Sequence, residues 1–264
     1  MSSKTLAVLT SLLIFSQIAQ AQSSTSASQQ GTRDPQATAI VQAALATMGG
    51  SALLSTIHSS IVSGSTASSS AAQTEQSTFV WTYAGGEFRN ENDATNGAHV
   101  LVSNAGAPED FHAGMWSSVP SVVVRTNLPF HIPALVLFSD TASTEYSFAY
   151  LGAATVNGNS VVHIRAVDTS DIAGQLFTAQ DWFFNVSTGL PVRVQFLVPI
   201  SPQPKDSVAE TIDFANFQLV NGILVPLQLD VTVGPLSFTS TVSSVTFNTS
   251  LSPNLFAPLT AGAQ

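Results

Sequence analysis

The stretch Trp182-Phe183-Phe184-Asn185-Val186-Ser187-Thr188-Gly189-Leu190-Pro191-Val192-Arg193-Val194-Gln195-Phe196 decides how the rest of the chain is read. Aromatic and β-branched residues flank a run from Asn185 to Gly189 whose residue types favour a turn, so the segment reads as strand, turn and strand. A turn closing Asn185 on Leu190 sets Phe183 with Val192 and Val194 and leaves Trp182 and Phe184 beside Arg193. Both faces of the hairpin then carry aromatic mass, which suits a sheet covered on more than one side. The theme repeats downstream: Ile212 to Val220, an Asn221-Gly222 turn, Ile223 to Val233, a Gly234-Pro235 turn, and Leu236 to Phe247. Ile223, Val225, Leu227, Leu229, Val231 and Val233 are separated by Gln228, Asp230 and Thr232 in the second half of the run, so one face is buried and the other wet. Leu236, Phe238 and Val242 keep even parity, whereas Val245 and Phe247 are odd. A β-bulge near Ser243-Ser244 reconciles the two.

At the other end, Lys4 precedes the apolar run Leu6 to Ile18, and Ala19-Gln20-Ala21 closes it with a small-x-small pattern. Residues 1–21 therefore read as an export signal, and the protein as periplasmic or extracellular. The run falls short of the roughly 20 apolar residues that a membrane span requires. Residues 22–33, rich in Ser, Gln and Thr, are expected to form a disordered tether. One domain is expected over 34–260. Its first element is a helix with Asp34 as cap, Pro35 at the first helical position and Gly49-Gly50 as stop. Ala37, Ile40, Val41, Ala44, Leu45 and Met48 make its apolar stripe, which must pack on the sheet.

Period-two alternation begins at Ile57. It predicts strands at Ile57 to Ser65, Ser77 to Tyr83, Glu87 to Asn92 and Ala98 to Ser103, with Gly64 and Gly85-Gly86 as breaks. The middle, Asn104 to Thr144, interrupts this rhythm with Gly106, Pro108, Gly114, Pro120, Pro129 and Pro133. It reads as an irregular insert with a short helix near Ile132 to Phe138, long enough to act as a lid or binding loop. Strands resume at Glu145 to Leu151 and Ser160 to Val167, followed by a loop with a helical turn in Thr169 to Ala179.

The chain has no cysteine, which excludes disulfides, thiolate nucleophiles and cysteine-zinc sites. Sixteen acidic residues against seven basic ones give a net charge of −9, and the basic residues are scattered, so nucleic acid is not an expected partner. Only 9% of residues are charged and 44% are hydrophobic. That balance fits either an apolar-ligand binder or a Ser/Thr-rich exported β-protein.

Chemistry is sparse. His58, His99, His112, His131 and His163 show no metal-binding spacing, and Glu109-Asp110-Phe111-His112 has no third ligand near it in sequence. There is no G-x-S-x-G elbow and no Gly-rich phosphate loop. Asn185-Val186-Ser187 and Asn248-Thr249-Ser250 fit glycosylation sequons, but both lie in turns that favour these residues anyway. No catalytic residue, metal or cofactor is expected. The candidate ligand contacts are apolar: the stripe Phe79, Trp81 and Tyr83, and the insert residues Met115, Trp116, Phe130 and Phe138. His163 and Arg165, which share a strand face, are a candidate polar contact in or beside a cavity.

The layout resembles the LolA/LolB-like periplasmic lipoprotein-carrier superfamily. Three stretches carry the resemblance: Trp182 to Arg193 with its Thr188-Gly189-Leu190-Pro191 hairpin, Val220-Asn221-Gly222-Ile223-Leu224-Val225-Pro226, and the ending Val245-Thr246-Phe247-Asn248 with Leu251 and Phe256-Ala257-Pro258. The resemblance implies an α+β fold: a strongly curved antiparallel half-barrel with an N-terminal helix and short lid helices on its concave face. It implies a non-enzymatic carrier or binder of an apolar ligand, a lipid or an acylated protein. An envelope interaction or sensor module without bound lipid is the second expectation, with an envelope protein as its partner. A hydrolase is the third.

Overall fold

The computed structural model describes residues 31–69, 74–94, 97–104, 107–170, 175–199 and 206–257. The expected export signal, most of the expected tether and the last residues of the expected domain lie outside them. Asp34 caps the first helix, α1 (Pro35–Thr47), by accepting hydrogen bonds from the backbone N–H groups of Gln36 at 2.7 Å and Ala37 at 3.3 Å. Its stripe Ala37, Val41, Ala44, Leu45 and Met48 is buried, with Ile40 packed at the margin. Gly49 and Gly50 end it with positive φ, and α2 (Ser51–Leu54) follows.

Six strands come next: β1 (Ser59–Ser69), β2 (Thr74–Ala84), β3 (Glu87–Ala94), β4 (Gly97–Asn104), β5 (Ala107–His112) and β6 (Met115–Ser118). Two short helices, α3 (Val122–Thr126) and α4 (Pro133–Ala142), lead to β7 (Tyr146–Val156) and β8 (Asn159–Asp168). After α5 (Gln175–Thr178) the chain runs through β9 (Gln180–Asn185), β10 (Pro191–Pro199), β11 (Ser207–Val220), β12 (Ile223–Val233) and β13 (Leu236–Phe247). All thirteen strands form one antiparallel sheet that does not close into a barrel, ordered β6-β5-β4-β3-β2-β1-β13-β12-β11-β10-β9-β8-β7. The α+β half-barrel expectation holds.

The order has a geometric consequence. Each half of the chain is a meander, and among the named strands the one non-sequential pairing joins β1 to β13. Strands β6 and β7, adjacent in sequence, therefore lie on opposite edges of the sheet. The segment between them must cross the whole sheet, and it does so on the inner face: Phe130, Ile132, Ala134 and Leu137 join α1 and sheet residues such as Trp182, Phe214 and Val225 in one core.

Several local expectations change. The first strand does not stop at Gly64. It runs through it, because a Cβ at this position would sit 2.1 Å from the carbonyl oxygen of Thr241 and 2.6 Å from the ring of Phe79. Glycine here permits close approach of the strands rather than breaking one. The bulge on β13 is where parity places it: Ser63 pairs with Ser244 and Gly64 with Val242, leaving Ser243 as the extra residue. The insert is not irregular throughout, since β5 and β6 extend the sheet by two strands around the left-handed turn Ala113-Gly114.

In the β9–β10 hairpin, the N–H of Asn185 donates to the carbonyl of Leu190 at 2.9 Å as expected. A bulge at Val192 then shifts the register, so Val194 pairs with Trp182 and Arg193 with Phe183. Trp182, Phe184 and Val194 thus face the main core, and Phe183 faces away with Val156, Val161 and Val192. The expected pairing of Val194 with Phe183 is corrected by that one inserted residue.

The end of the expected tether is fixed in place. Arg33 bridges Phe148 of β7, the N–H of Phe148 donates to the carbonyl of Thr32 at 3.0 Å, and the Arg33 guanidinium donates to the carbonyls of Thr141 and Ser143. This short parallel strip covers part of the β7 edge, which would otherwise present unpaired backbone groups. Among the described residues, no helix is long and apolar enough to cross a membrane.

Candidate functional site

Two chambers lie between the inner face of the sheet and the crossing segment. The larger, about 610 Å³, is bounded by α4 on one side and by the β1–β3 end of the sheet on the other. Leu135, Val136 and Phe138 line it from α4, Leu54 and Ile57 from the α2 region, and Phe88, Leu128 and Pro129 complete its apolar wall. The second, about 320 Å³, lies over β2, β10, β11 and β12, and is lined by Trp81, Phe130, Phe196, Ile212, Leu229 and Phe238 among others. Tyr83, Asn127 and Leu128 border both chambers, so they form the partition.

The sequence-derived candidates separate into three groups. Trp81, Tyr83, Phe130 and Phe138 reach the chambers, as expected for the stripe and the insert. Phe79 stacks on Trp81 with ring centroids 3.9 Å apart, but is itself buried against Gly64 and supports the wall from behind. Met115, 71% exposed, and Trp116, which packs on Phe111, sit on the edge hairpin β5–β6 and line neither chamber. The insert contributes to the site through its helical second half alone.

His163 and Arg165 come together, but on the outer face. They alternate with buried Ile164, and both hydrogen bond to Asp181: His163 through Nε2 at 2.7 Å, Arg165 in a fork at 2.9 and 2.8 Å. Burial alone would raise the Asp181 carboxyl, but these hydrogen bonds outweigh it and hold it below the ordinary carboxylate range. His163 also stacks on Phe183 at 4.4 Å. A similar fork joins Arg193 to Asp213. These are cross-strand ties on the outer sheet surface, remote from the inner chambers in the sense that alternate strand positions face opposite ways. The Glu109-to-His112 cluster splits likewise: Asp110 pairs with His99 at 2.5 Å, and no group of three or more potential metal ligands forms among the described residues.

Among the ionisable groups that reach the chambers, burial is the largest influence on His131, Tyr83, Asp140 and Glu210. His131 lies between Trp81 and Tyr83, with ring centroids 5.1 Å from each, and its Nε2 has no hydrogen-bond partner. Burial pushes its imidazole down to about 3, so it is neutral at physiological pH. The Tyr83 phenol is raised by burial, partly offset by a hydrogen bond with Asn90. Burial raises the Asp140 carboxyl, on the wall of the larger chamber, well above the ordinary carboxylate range against the opposing hydrogen bonds of Gln180 and Tyr146. Gln180 in turn accepts from the buried indole of Trp182 at 2.7 Å.

Glu210 is the residue that the sequence analysis passed over. Burial lifts its carboxyl to about 7, and no other group opposes the shift. The signal was present: in Glu210-Thr211-Ile212-Asp213-Phe214, Glu210 shares parity with the core residues Ile212 and Phe214. A carboxylate on the apolar face of a strand is costly unless it does something.

No known sequence family and no curated protein matches the chain. Solved structures do. A LolA superfamily protein, NE2245 from Nitrosomonas europaea, aligns over 84% of this chain and 97% of its own with a TM-score of 0.53 at 12% identity. A domain assigned to outer membrane lipoprotein sorting, from Vibrio parahaemolyticus, aligns over 84% and 96% with a TM-score of 0.51 at 19% identity. The fold is LolA-like. The likeness takes in most of this chain and nearly the whole of each of the two structures. At these identities it concerns the fold, and the chambers must be interpreted from this chain's own residues.

Proposed function

We propose that the protein is an exported binder or carrier of an apolar ligand, a lipid chain or an acylated protein, held between half-barrel and crossing helices. The observation that carries this is the larger chamber. Its volume of about 610 Å³ falls within the roughly 300–1,000 Å³ typical of small-molecule sites. Its walls are mostly aliphatic and aromatic, with a few polar groups such as Asp140 and Ser60 among them. A chain inserted there gains on the order of 0.8 kcal/mol per methylene removed from water. The mostly apolar lining fits binding better than turnover. The N-terminal segment, read as an export signal, and the LolA-like fold support a periplasmic location.

The reading is tested with the purified chain and the neutral fluorescent probe N-phenyl-1-naphthylamine, alongside native mass spectrometry for co-purified lipid. Wild-type protein should take up the probe, and Leu135→Trp, which fills the larger chamber from α4, should lose at least about tenfold in probe affinity while melting cooperatively. Absence of uptake by the wild type, or uptake unchanged by Leu135→Trp, would refute it.

A further inference from the structure

The second chamber gathers a carboxylate, Glu210, and two buried polar atoms without a hydrogen-bond partner, Asn90 Oδ1 and His131 Nε2. Its walls are aromatic, with Trp81, Tyr83, Phe130 and Phe238 around the opening into the sheet. Glu210 stands on this wall, at the β11 position paired with Phe196 on one side and Val233 on the other, and it makes no hydrogen bond or ion pair among the described residues. The Oδ1 of Asn90, also on this chamber, is buried without a partner. Both are acceptors. His131 Nε2 is likewise unpartnered, and its ring carries no charge to compensate Glu210. Neither Lys nor Arg lines the chamber among the described residues. An aromatic box with a carboxylate and an amide oxygen, lined by no Lys or Arg among the described residues, is complementary to a positively charged nitrogen.

We propose that the second chamber is a head-group site, in which Glu210 and the surrounding aromatic rings receive the ammonium group of an amphiphile whose chain occupies the larger chamber. The inference rests on the carrier reading above and adds to it the charge of the ligand. The shared border at Tyr83, Asn127 and Leu128 lets one molecule extend from one chamber into the other. An aminolipid and a free long-chain amine offer the same chemistry, and mass spectrometry of the bound species separates them.

Dodecylamine, dodecanol and dodecanoate, each below its micellar concentration, are compared for displacement of N-phenyl-1-naphthylamine at pH 8. The amine should displace the probe at a concentration at least about tenfold below that of the carboxylate, with the alcohol between them. In Glu210→Gln the separation of amine from carboxylate should fall below about threefold, and cooperative urea unfolding of the variant shows that it is folded. At pH 5 the wild-type preference should shrink as Glu210 is protonated. The other titratable groups facing this chamber are Tyr83 and His131, both held neutral, and His99, which pairs with Asp110. His99 is common to both proteins, so the difference between wild type and Glu210→Gln isolates the Glu210 contribution. Equal displacement by all three ligands in the wild type, or a preference that survives Glu210→Gln, overturns the head-group site and leaves the carrier reading standing. Failure of every ligand and of the probe to bind overturns both.

Discussion

Glu210→Gln should stabilise the protein at pH 8 and leave it almost unchanged at acid pH. The Glu210 carboxyl rises from 4.5 to about 7 on folding because it leaves water for an apolar wall. A carboxyl raised on folding binds its proton more tightly in the native state, so its contribution is most favourable below the unfolded value of 4.5 and is lost as pH rises through 7. Each unit of difference corresponds to about 1.4 kcal/mol, and the separation gives a loss of about 3 kcal/mol at pH 8 and less than about 1 kcal/mol at pH 5. Glutamine has the shape of the protonated acid and cannot ionise, so it escapes this loss. Urea denaturation of wild type and variant at pH 5, 6, 7 and 8 measures it directly, because every other titrating group is common to both proteins. The stability difference should open with pH and approach 3 kcal/mol. Two parallel pH profiles would refute the reasoning, since they would mean that Glu210 is already paired or solvated. An ammonium ligand should narrow the gap by restoring a partner to the ionised carboxylate in the wild type.

His131→Phe should show the opposite pH dependence: the imidazole, held at about 3, costs stability as pH falls below its unfolded 6.5, so at pH 4.5 the variant should be the more stable by about 2–3 kcal/mol in the same urea assay. Gly64→Ala should cost at least about 1–3 kcal/mol, because the new methyl meets the Thr241 carbonyl oxygen and the Phe79 ring; a neutral thermal melt would show that β1 and β13 can separate at the bulge. Trp182→Ala should cost about 3–5 kcal/mol as a fully buried core residue. Trp81→Ala, on a cavity wall, should cost clearly less while weakening probe uptake, and equal losses for the two would place Trp81 in the core instead.

The sequence made the sheet legible wherever period-two alternation ran uninterrupted. The strand Ile223 to Val233 and the bulge inferred from the parity break before Val245 stand as expected. Alternation fails as a guide when an extra residue sits next to a turn, since a turn also resets parity. The bulge at Val192 hides in that way, and with it the face of Trp182. Strands β5 and β6 were not legible because Ala107-Pro108-Glu109-Asp110-Phe111-His112 has no apolar face to bury. Near a sheet edge a strand is held by its backbone partner and needs none. Of the candidate site, the aromatic residues were readable as types but not as places. Phe130 and Met115 look alike in the insert, and only the fold separates the residue under the sheet from the one at the tip. Glu210 was readable by parity, as a charged residue in a run of buried ones.

The position of the crossing helices follows from a pairing that no local pattern contains. Ser60 joins Phe247 across most of the chain, and that single junction makes one sheet of two meanders. Had β6 paired with β7 instead, the Pro-rich segment would be a surface loop at the edge, with no reason to bury Phe130 or Leu137. With β1 on β13, the same segment spans the open side of a curved sheet and must satisfy two demands at once. Its apolar residues bury against the sheet where side chains fill the gap, at Ile132, Ala134 and Leu137. Where they do not, the two chambers remain, on either side of Leu128. The short, Pro-interrupted helices fit this role better than one long helix would, since a straight rod cannot follow a concave surface. Among the described residues no Lys or Arg lines the chamber where Glu210 stands on β11, and the proposed ammonium head group would supply that charge.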